Sequence, residues 1–322
     1  MKISVIVPCF NEEENIDKFY SAITAVTDSF SEKADWEYIF VNDGSRDKTL
    51  EKLFFYSKRD ERVKYISFSR NFGKESAMLA GLEYSSGDYV VLIDADLQDP
   101  PELIPEMYRM IQAEKIDRIA TRRVDRKGEP VIRSFFAKMF YGLINKMSKV
   151  KIMDGARDYC MMTRRMVDSV LSMKERTRFT KGILEYPGFP TKWLEFHNNS
   201  RNGGGSKWSF LKLFIYAIEG IVSFSSFPLV LSSITGMIMC MIAFVFIIII
   251  VIRRLVWGDE VIGWASLACI ILFVAGLQQL SLGVIGSYIS RVYIEVKDRP
   301  LYVVADTNII KEQKNGSDRS QQ

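Results

Sequence analysis

Four short apolar runs punctuate the first third of the chain: Lys2–Pro8 (KISVIVP), Glu37–Asn42 (EYIFVN), Val63–Ser69 (VKYISFS) and Asp88–Asp94 (DYVVLID). Each has strand length and is rich in β-branched or aromatic residues, and the stretches between them are long enough for a helix and its turns. Strands alternating with helices predict a mostly parallel sheet covered on both faces. In such a sheet ligands collect beyond the carboxyl ends of the strands, and those ends are polar here. Asn11 and Glu12 follow the first run, Asn42-Asp43-Gly44-Ser45 the second, Arg70-Asn71 the third and Asp94-Ala95-Asp96 the fourth, while Arg122 and Arg123 end an expected fifth strand.

Further along, the pattern changes twice. Between Pro130 and Ser148 the apolar residues Ile132, Phe135, Phe136, Met139, Phe140, Leu143 and Met147 recur at helical spacing among Arg133, Lys138 and Lys146. This basic amphipathic helix (about 130–149) fits either a membrane interface or a helix packed on the sheet. Trp208–Val222 is a second interfacial candidate, and it runs into two stretches, Pro228–Ile252 (25 residues) and Val261–Ser290 (30 residues), that contain no charged residue. Both exceed the roughly 20 residues a membrane span needs. The expected organisation is a sheet-bearing domain at 1–206, an interfacial helix at 207–227, a two-helix transmembrane hairpin at 228–290 and a tail at 291–322, disordered in its polar end after Asp306.

Composition changes the picture in three ways. Mean hydropathy is +0.02, yet all 43 Lys/Arg and 39 Asp/Glu lie outside the two uncharged stretches, so a globular average conceals a soluble part and a membrane part. Cys9, Cys160, Cys240 and Cys269 have no paired spacing, which argues against a disulfide framework or CxxC metal site and for a reducing compartment. The apolar start is too short for a signal peptide. Lys207, Lys212, Arg291, Lys297 and Arg299 flank the hairpin against Arg253 and Arg254 in its connecting loop, so the positive-inside bias favours placing the charged amino-terminal domain and both termini in the cytosol. A net charge of +4 gives no case for nucleic acid. The excess between Arg122 and Lys151, nine basic against two acidic residues, suits lipid headgroups or phosphates.

Known phosphate motifs are missing. Neither GxGxxG nor GxxxxGK[ST] occurs, since PCFNEEEN follows the first strand and Gly73-Lys74-Glu75 lacks the rest of a P-loop. Asp94 and Asp96 flank a small residue after an apolar strand, a spacing that can share a hard divalent ion with Gln98 as a third oxygen, or serve as an ordinary acidic turn. Asp99 is expected to cap the helix opening at Pro100-Pro101. Asp43 can accept from a base N–H or a ribose hydroxyl, with Gly44 permitting the turn and Ser45 capping the next helix. Arg201, Ser206 and Lys207 bracket Gly203-Gly204-Gly205 and suit either a phosphate clamp or a flexible juxtamembrane linker. His197 is the only histidine, which excludes a histidine-based metal cluster.

Taken together, IVPCFNEEEN, FVNDGS, SRNFGKESAMLAG and DADLQDPPE resemble the family 2 glycosyltransferases of the GT-A fold. RNGGGSKW, the two uncharged stretches and IGSYISRVYIEVKDRPLY resemble their polyprenyl-phosphate branch, in particular the two-span bacterial undecaprenyl-phosphate sugar transferases. The resemblance implies a Rossmann-like, mostly parallel sheet, with Pro8, Phe10, Glu12 and Asp43 around the nucleotide and Asp94, Asp96 and Gln98 at a Mg2+ or Mn2+ ion and the diphosphate. It further implies that Asp158 faces the acceptor as base or orienting group, although Cys160 stands where the family has arginine and Asp154 is a rival. Arg122, Arg123 and Arg133 suit phosphate contacts or structural ion pairs equally. The implied reaction is inverting transfer of one sugar from a nucleotide-diphosphate sugar, UDP-glucose or UDP-GlcNAc, to undecaprenyl phosphate in the bilayer. Two alternatives are a processive polysaccharide synthase, disfavoured by the absence of a QxxRW motif and by only two spans, and a non-catalytic nucleotide-sugar-binding scaffold. Gly236, Gly276, Gly283 and Gly286 would let the spans pack closely, with each other or in a homo-oligomer.

Overall fold

The computed structural model describes residues 1–123, 156–196, 227–257 and 263–310. The chain divides into two units, one built on the sheet and one on two long helices.

In the first unit the four expected strands form as β1 (Lys2–Cys9), β2 (Asp35–Asn42), β3 (Val63–Phe68) and β4 (Tyr89–Leu92), in parallel. Their alternate residues are buried on opposite faces. Val5, Val7, Tyr38 and Phe40 meet the apolar sides of α1 (Ile16–Asp28) and α4 (Ile104–Glu114), whereas Ile39, Val41 and Ile66 meet α3 (Lys74–Tyr84). Burial on both faces is why these strands read as nearly continuous apolar runs. α2 (Thr49–Ser57) follows β2. Gly81 lets α3 lie directly on β1, since a Cβ there would come within 2.1 Å of Ile6 Cγ2.

The sheet is larger and more mixed than the sequence pattern suggests. β5 (Arg118–Arg123), β6 (Ala156–Thr163), β7 (Thr191–Phe196) and β8 (Val304–Thr307) extend it to eight strands in the order β7-β5-β6-β4-β1-β2-β3-β8. β6 is antiparallel to both β4 and β5, and β8 is antiparallel to β3. Two short helices, α5 (Arg164–Ser172) and α6 (Thr180–Glu185), separate β6 from β7. β8 continues one residue past Asp306, and Asn308 still bonds the backbone of Val63 and Tyr65, so the tail is ordered beyond the expected limit.

The second unit holds α7 (Phe227–Trp257) and α8 (Trp264–Val296), 31 and 33 residues long. Among the described residues one window, Leu229–Phe246, is long and apolar enough to cross a membrane, with mean hydropathy 2.4 and none of it buried. α8 holds most of the second uncharged stretch but is not a second such helix among the described residues, so α7 alone is a candidate span, by length and composition, and the expected two-span hairpin is not confirmed. The helix runs through Arg291 to Val296 rather than ending at Ser290. The basic helix near 130–149, the interfacial helix up to Ser226 and the chain after Ile310 lie outside the described residues.

The close approach at Gly81 gives a direct test. Gly81→Ala is expected to cost about 1–3 kcal/mol of stability, and Ile6→Ala made on top of it should cost less than Ile6→Ala alone, read by chemical denaturation in a double-mutant cycle. Additive costs would show that the contact is not made.

Candidate functional site

Strand order reverses between β1 and β4, because β1 leads to β2 on one side and pairs with β4 on the other. Such a switch point leaves a crevice beyond the strand ends. A cavity of about 350 Å³ lies there, lined by Pro8, Phe10, Glu12, Asp43, Asp94 and Asp96, together with Asn71, Gly73 and Lys74. Six residues singled out in the sequence therefore share one hollow. Phe10 is 45% exposed and offers an aromatic face at the cavity wall.

The loops around the cavity hold one another. The amide of Asn11, a residue with φ of 55°, donates to Ser45 Oγ at 2.9 Å, and Asn11 Oδ1 accepts from the Arg46 amide at 2.9 Å. Glu12 N donates to Thr49 Oγ1 at 2.9 Å. Ser45 is thus spent on the first loop and does not cap α2, whose first residues are instead met by Asp47 Oδ1 accepting from Thr49 N at 3.0 Å. Gly44 has φ of 62°, and a Cβ there would lie 2.3 Å from the carbonyl carbon of Arg70, so the close approach of the β2 and β3 loops requires glycine.

Asp43 is buried and its carboxylate is already in use. Oδ1 accepts from Phe72 N at 2.6 Å and Oδ2 from Gly73 N at 2.9 Å, which fixes the loop leading into α3. Burial raises its pKa, with those two amide bonds and Arg70 opposing. Each oxygen keeps a further lone pair for a ligand.

The centre of the site is a lysine between two acids. Lys74, the first residue of α3, places Nζ 2.7 Å from Asp94 Oδ1 and 2.7 Å from Asp158 Oδ2. β4 and β6 pair Leu92 with Cys160, and continuing that antiparallel register by two residues sets Asp94 opposite Asp158. Burial pushes the Lys74 pKa down, but the two carboxylates outweigh it and hold the ammonium above its ordinary value. Burial likewise raises Asp158, and the charges of Lys74 and Lys181 more than reverse this, leaving its carboxyl below the usual range.

Beyond Asp96 the loop departs from its sequence reading. Leu97 is left-handed at φ 56°, a strained conformation for a branched residue of the kind that gathers at functional sites. Gln98 turns its amide oxygen toward Arg157 Nη2 at 3.4 Å. Asp99 does not cap the next helix, because its buried carboxylate receives Arg157 Nε at 3.0 Å. Burial raises its pKa to about 6, with Arg157 opposing. Arg157, immediately before Asp158, supplies a cation one residue before the expected aspartate, whereas Cys160 is a buried thiol raised to about 12 by desolvation.

Asp94 and Asp96 are hard oxygen donors facing an open cavity, and they suit a magnesium-type cation that keeps positions for phosphate and water. Among the described residues no group of three His, Cys, Asp or Glu side chains could hold a metal by itself, so such an ion would complete its shell from substrate. Arg122 pairs with Glu195 at 3.7 Å on β7, the structural alternative for that residue. Arg123 ends β5 opposite Phe196 in register. Its side chain, together with Arg133, Asp154, His197, Arg201, Ser206 and Lys207, falls outside the described residues. Sequence reasoning passed over Lys74 because it was weighed only as part of a P-loop, though it lay within SRNFGKESAMLAG.

Residues 4–171 match glycosyl transferase family 2. The chain belongs to that family. Similarity extends well beyond the matched segment. An uncharacterized glycosyltransferase of Synechocystis sp. is 40% identical across 95% of both chains. The SfII prophage-derived bactoprenol glucosyl transferase of Shigella flexneri is 42% identical, covering 94% of this chain and 97% of its own. Among solved structures, glucosyl-3-phosphoglycerate synthase of Mycobacterium tuberculosis, in complex with Mn2+, UDP-glucose and phosphoglyceric acid, is 18% identical with a TM-score of 0.47, over 69% of this chain and 77% of that one. The protein is a glycosyltransferase.

In this glycosyltransferase the lysine bridge has a pH signature. Asp158 has a lowered folded pKa, so its contribution to stability is complete above the unfolded value of about 3.9 and is lost as pH falls through the lower folded value. Lys74→Met leaves burial to raise Asp158 instead. The gap in melting temperature between wild type and Lys74→Met is therefore expected to be widest near pH 7 and to narrow below about pH 4. A pH-independent gap would show that the bridge does not govern Asp158.

Proposed function

We propose that this glycosyltransferase moves one sugar, glucose or N-acetylglucosamine, from its UDP donor to undecaprenyl phosphate at the cytosolic membrane face, with inversion. The observation that carries this reading is the 42% identity to a bactoprenol glucosyl transferase over 94% of the chain, an extent that includes the long helices as well as the sheet. The cavity at the switch point supports it, since its carboxylates, lysine and aromatic ring are the groups a nucleotide diphosphate needs.

A divalent ion such as Mg2+ or Mn2+, held by Asp94 and Asp96 with Gln98 nearby, would supply Lewis acidity for the departing diphosphate. Lys74 adds a fixed positive charge beside Asp94, where negative charge develops. Asp43 stiffens the loop of Phe72 and Gly73 and retains lone pairs for the nucleoside, and Pro8, Phe10 and Glu12 line the same hollow. The acceptor phosphate has a second pKa of about 6, so its attacking oxygen is already anionic near neutrality. Asp158 is held ionised by Lys74 and Lys181 and is a weak base, which favours an orienting role over proton abstraction. Displacement of the diphosphate in one step from the opposite face inverts the anomeric carbon.

The acceptor brings its phosphate to the membrane surface, and α7 supplies an apolar helix of about 46 Å at 1.5 Å per residue, long enough for a roughly 30 Å hydrocarbon core. The uncharged stretch from Trp264 to Ser290 in α8, with exposed Ile270, Phe273 and Leu280, supports a second span and hence a hairpin with both ends cytosolic. Arg201, Ser206, Lys207 and Arg133 are the proposed clamp for the lipid phosphate, and Arg123 is a further donor-phosphate contact.

Purified protein given short polyprenyl phosphate, Mg2+ or Mn2+ and labelled UDP-glucose, UDP-GlcNAc or GDP-mannose is expected to label lipid from a UDP donor. Asp96→Ala should lower that rate by about 100-fold or more. Folded wild-type protein that labels no lipid from any donor would overturn the proposal.

A further inference from the structure

The loop that forms one wall of the donor cavity, Ser69 to Gly73, leaves β3 at its outer side, and the chain that returns after α8 is laid against that side. β8 pairs with β3 from Ile66 to Phe68, with an irregularity between Ser67 and Phe68. Ser69 N, at the start of the loop, donates to Val303 O at 3.0 Å. Tyr302 stacks its ring on Phe68, with centroids 4.9 Å apart and planes at 17°, and its hydroxyl bonds Glu83 in the last turn of α3. Phe68 in turn meets Phe72 edge to face at 5.8 Å, and Phe72 N is one of the two amides held by Asp43.

A continuous set of contacts thus runs from Tyr302 through Phe68 and Phe72 to Asp43, and only the last of these four lines the cavity. Tyr302 also ties β3 to α3, the two elements that the loop connects. It lies six residues after Val296, the end of α8. We propose that Tyr302 is a positioning residue for the donor site, and that the Tyr302–Ile309 strap couples the chain leaving the long helices to the loop that receives the nucleotide. The inference rests on the UDP-donor reading above. An edge strand needs only main-chain pairing to cover it; here the ring stacked on Phe68 and the bond from the Ser69 amide meet at the start of the Ser69–Gly73 loop, one of the loops that border the cavity, while the bond to Glu83 anchors the same tyrosine to α3.

The test is UDP binding with Mn2+ to the detergent-solubilised full chain by titration calorimetry, alongside donor and acceptor kinetics. Tyr302→Ala is expected to weaken UDP binding about tenfold and raise the donor KM by a similar factor, leaving kcat and the acceptor KM within about twofold, while Tyr302→Phe, which keeps the stack, restores donor binding to within about twofold. A folded Tyr302→Ala protein with wild-type UDP affinity overturns the proposal. If that variant does not fold, hydrogen exchange on the unaltered protein decides: UDP should slow exchange at Ser69 and Val304–Thr307 as well as at Phe72 and Gly73, and protection confined to the latter pair overturns it. A wild-type chain that binds no UDP removes the donor reading and this inference with it.

Discussion

Two carboxylates brought face to face by strand pairing would repel one another, and Lys74 is what allows them to share the site. Its ammonium lies 2.7 Å from Asp94 and 2.7 Å from Asp158, residues 64 positions apart in sequence that meet only because β4 and β6 run antiparallel in a fixed register. A one-residue slip in that pairing would turn Asp158 to the other face of the sheet. The bridge therefore depends on the sheet being mixed, with β6 antiparallel to β4.

The same economy governs the rest of the cavity. Asp43 serves the fold first, by receiving the amides of Phe72 and Gly73, and in doing so it sets the wall that a nucleotide would meet. Gly44 admits the neighbouring loop where no Cβ could fit. Across the mouths of β1 and β2, Asn11 donates its amide to Ser45 and accepts the amide of Arg46. Three loops are thus tied to each other before any ligand enters, which is the preorganisation that electrostatic catalysis requires.

How much of this was legible in the sequence follows from locality. β1 to β4 were readable because parallel strands buried on both faces become apolar runs. β6 begins with Ala-Arg-Asp and carries charge into the sheet, and β8 is a four-residue edge strand, so neither produced such a run. Asp94, Asp96 and Asp43 were found because each follows a strand. Lys74 and Arg157 acquire their roles from partners 20 to 84 residues away, and no local spacing encodes that. Local expectations failed where a distant group competed: Asp99 was expected to cap a helix and is taken by Arg157, and Ser45 was expected to cap α2 and is taken by Asn11.

The central claim is that one site, held together by the Lys74 bridge, performs a single displacement on a sugar diphosphate. The most direct measurement is nuclear magnetic resonance and mass spectrometry of the lipid made from UDP-[13C]glucose, whose donor linkage is α. One displacement by an anionic phosphate gives a lipid phosphate bearing a single β-linked glucose. An α-linked product, or a lipid carrying more than one sugar, would contradict it.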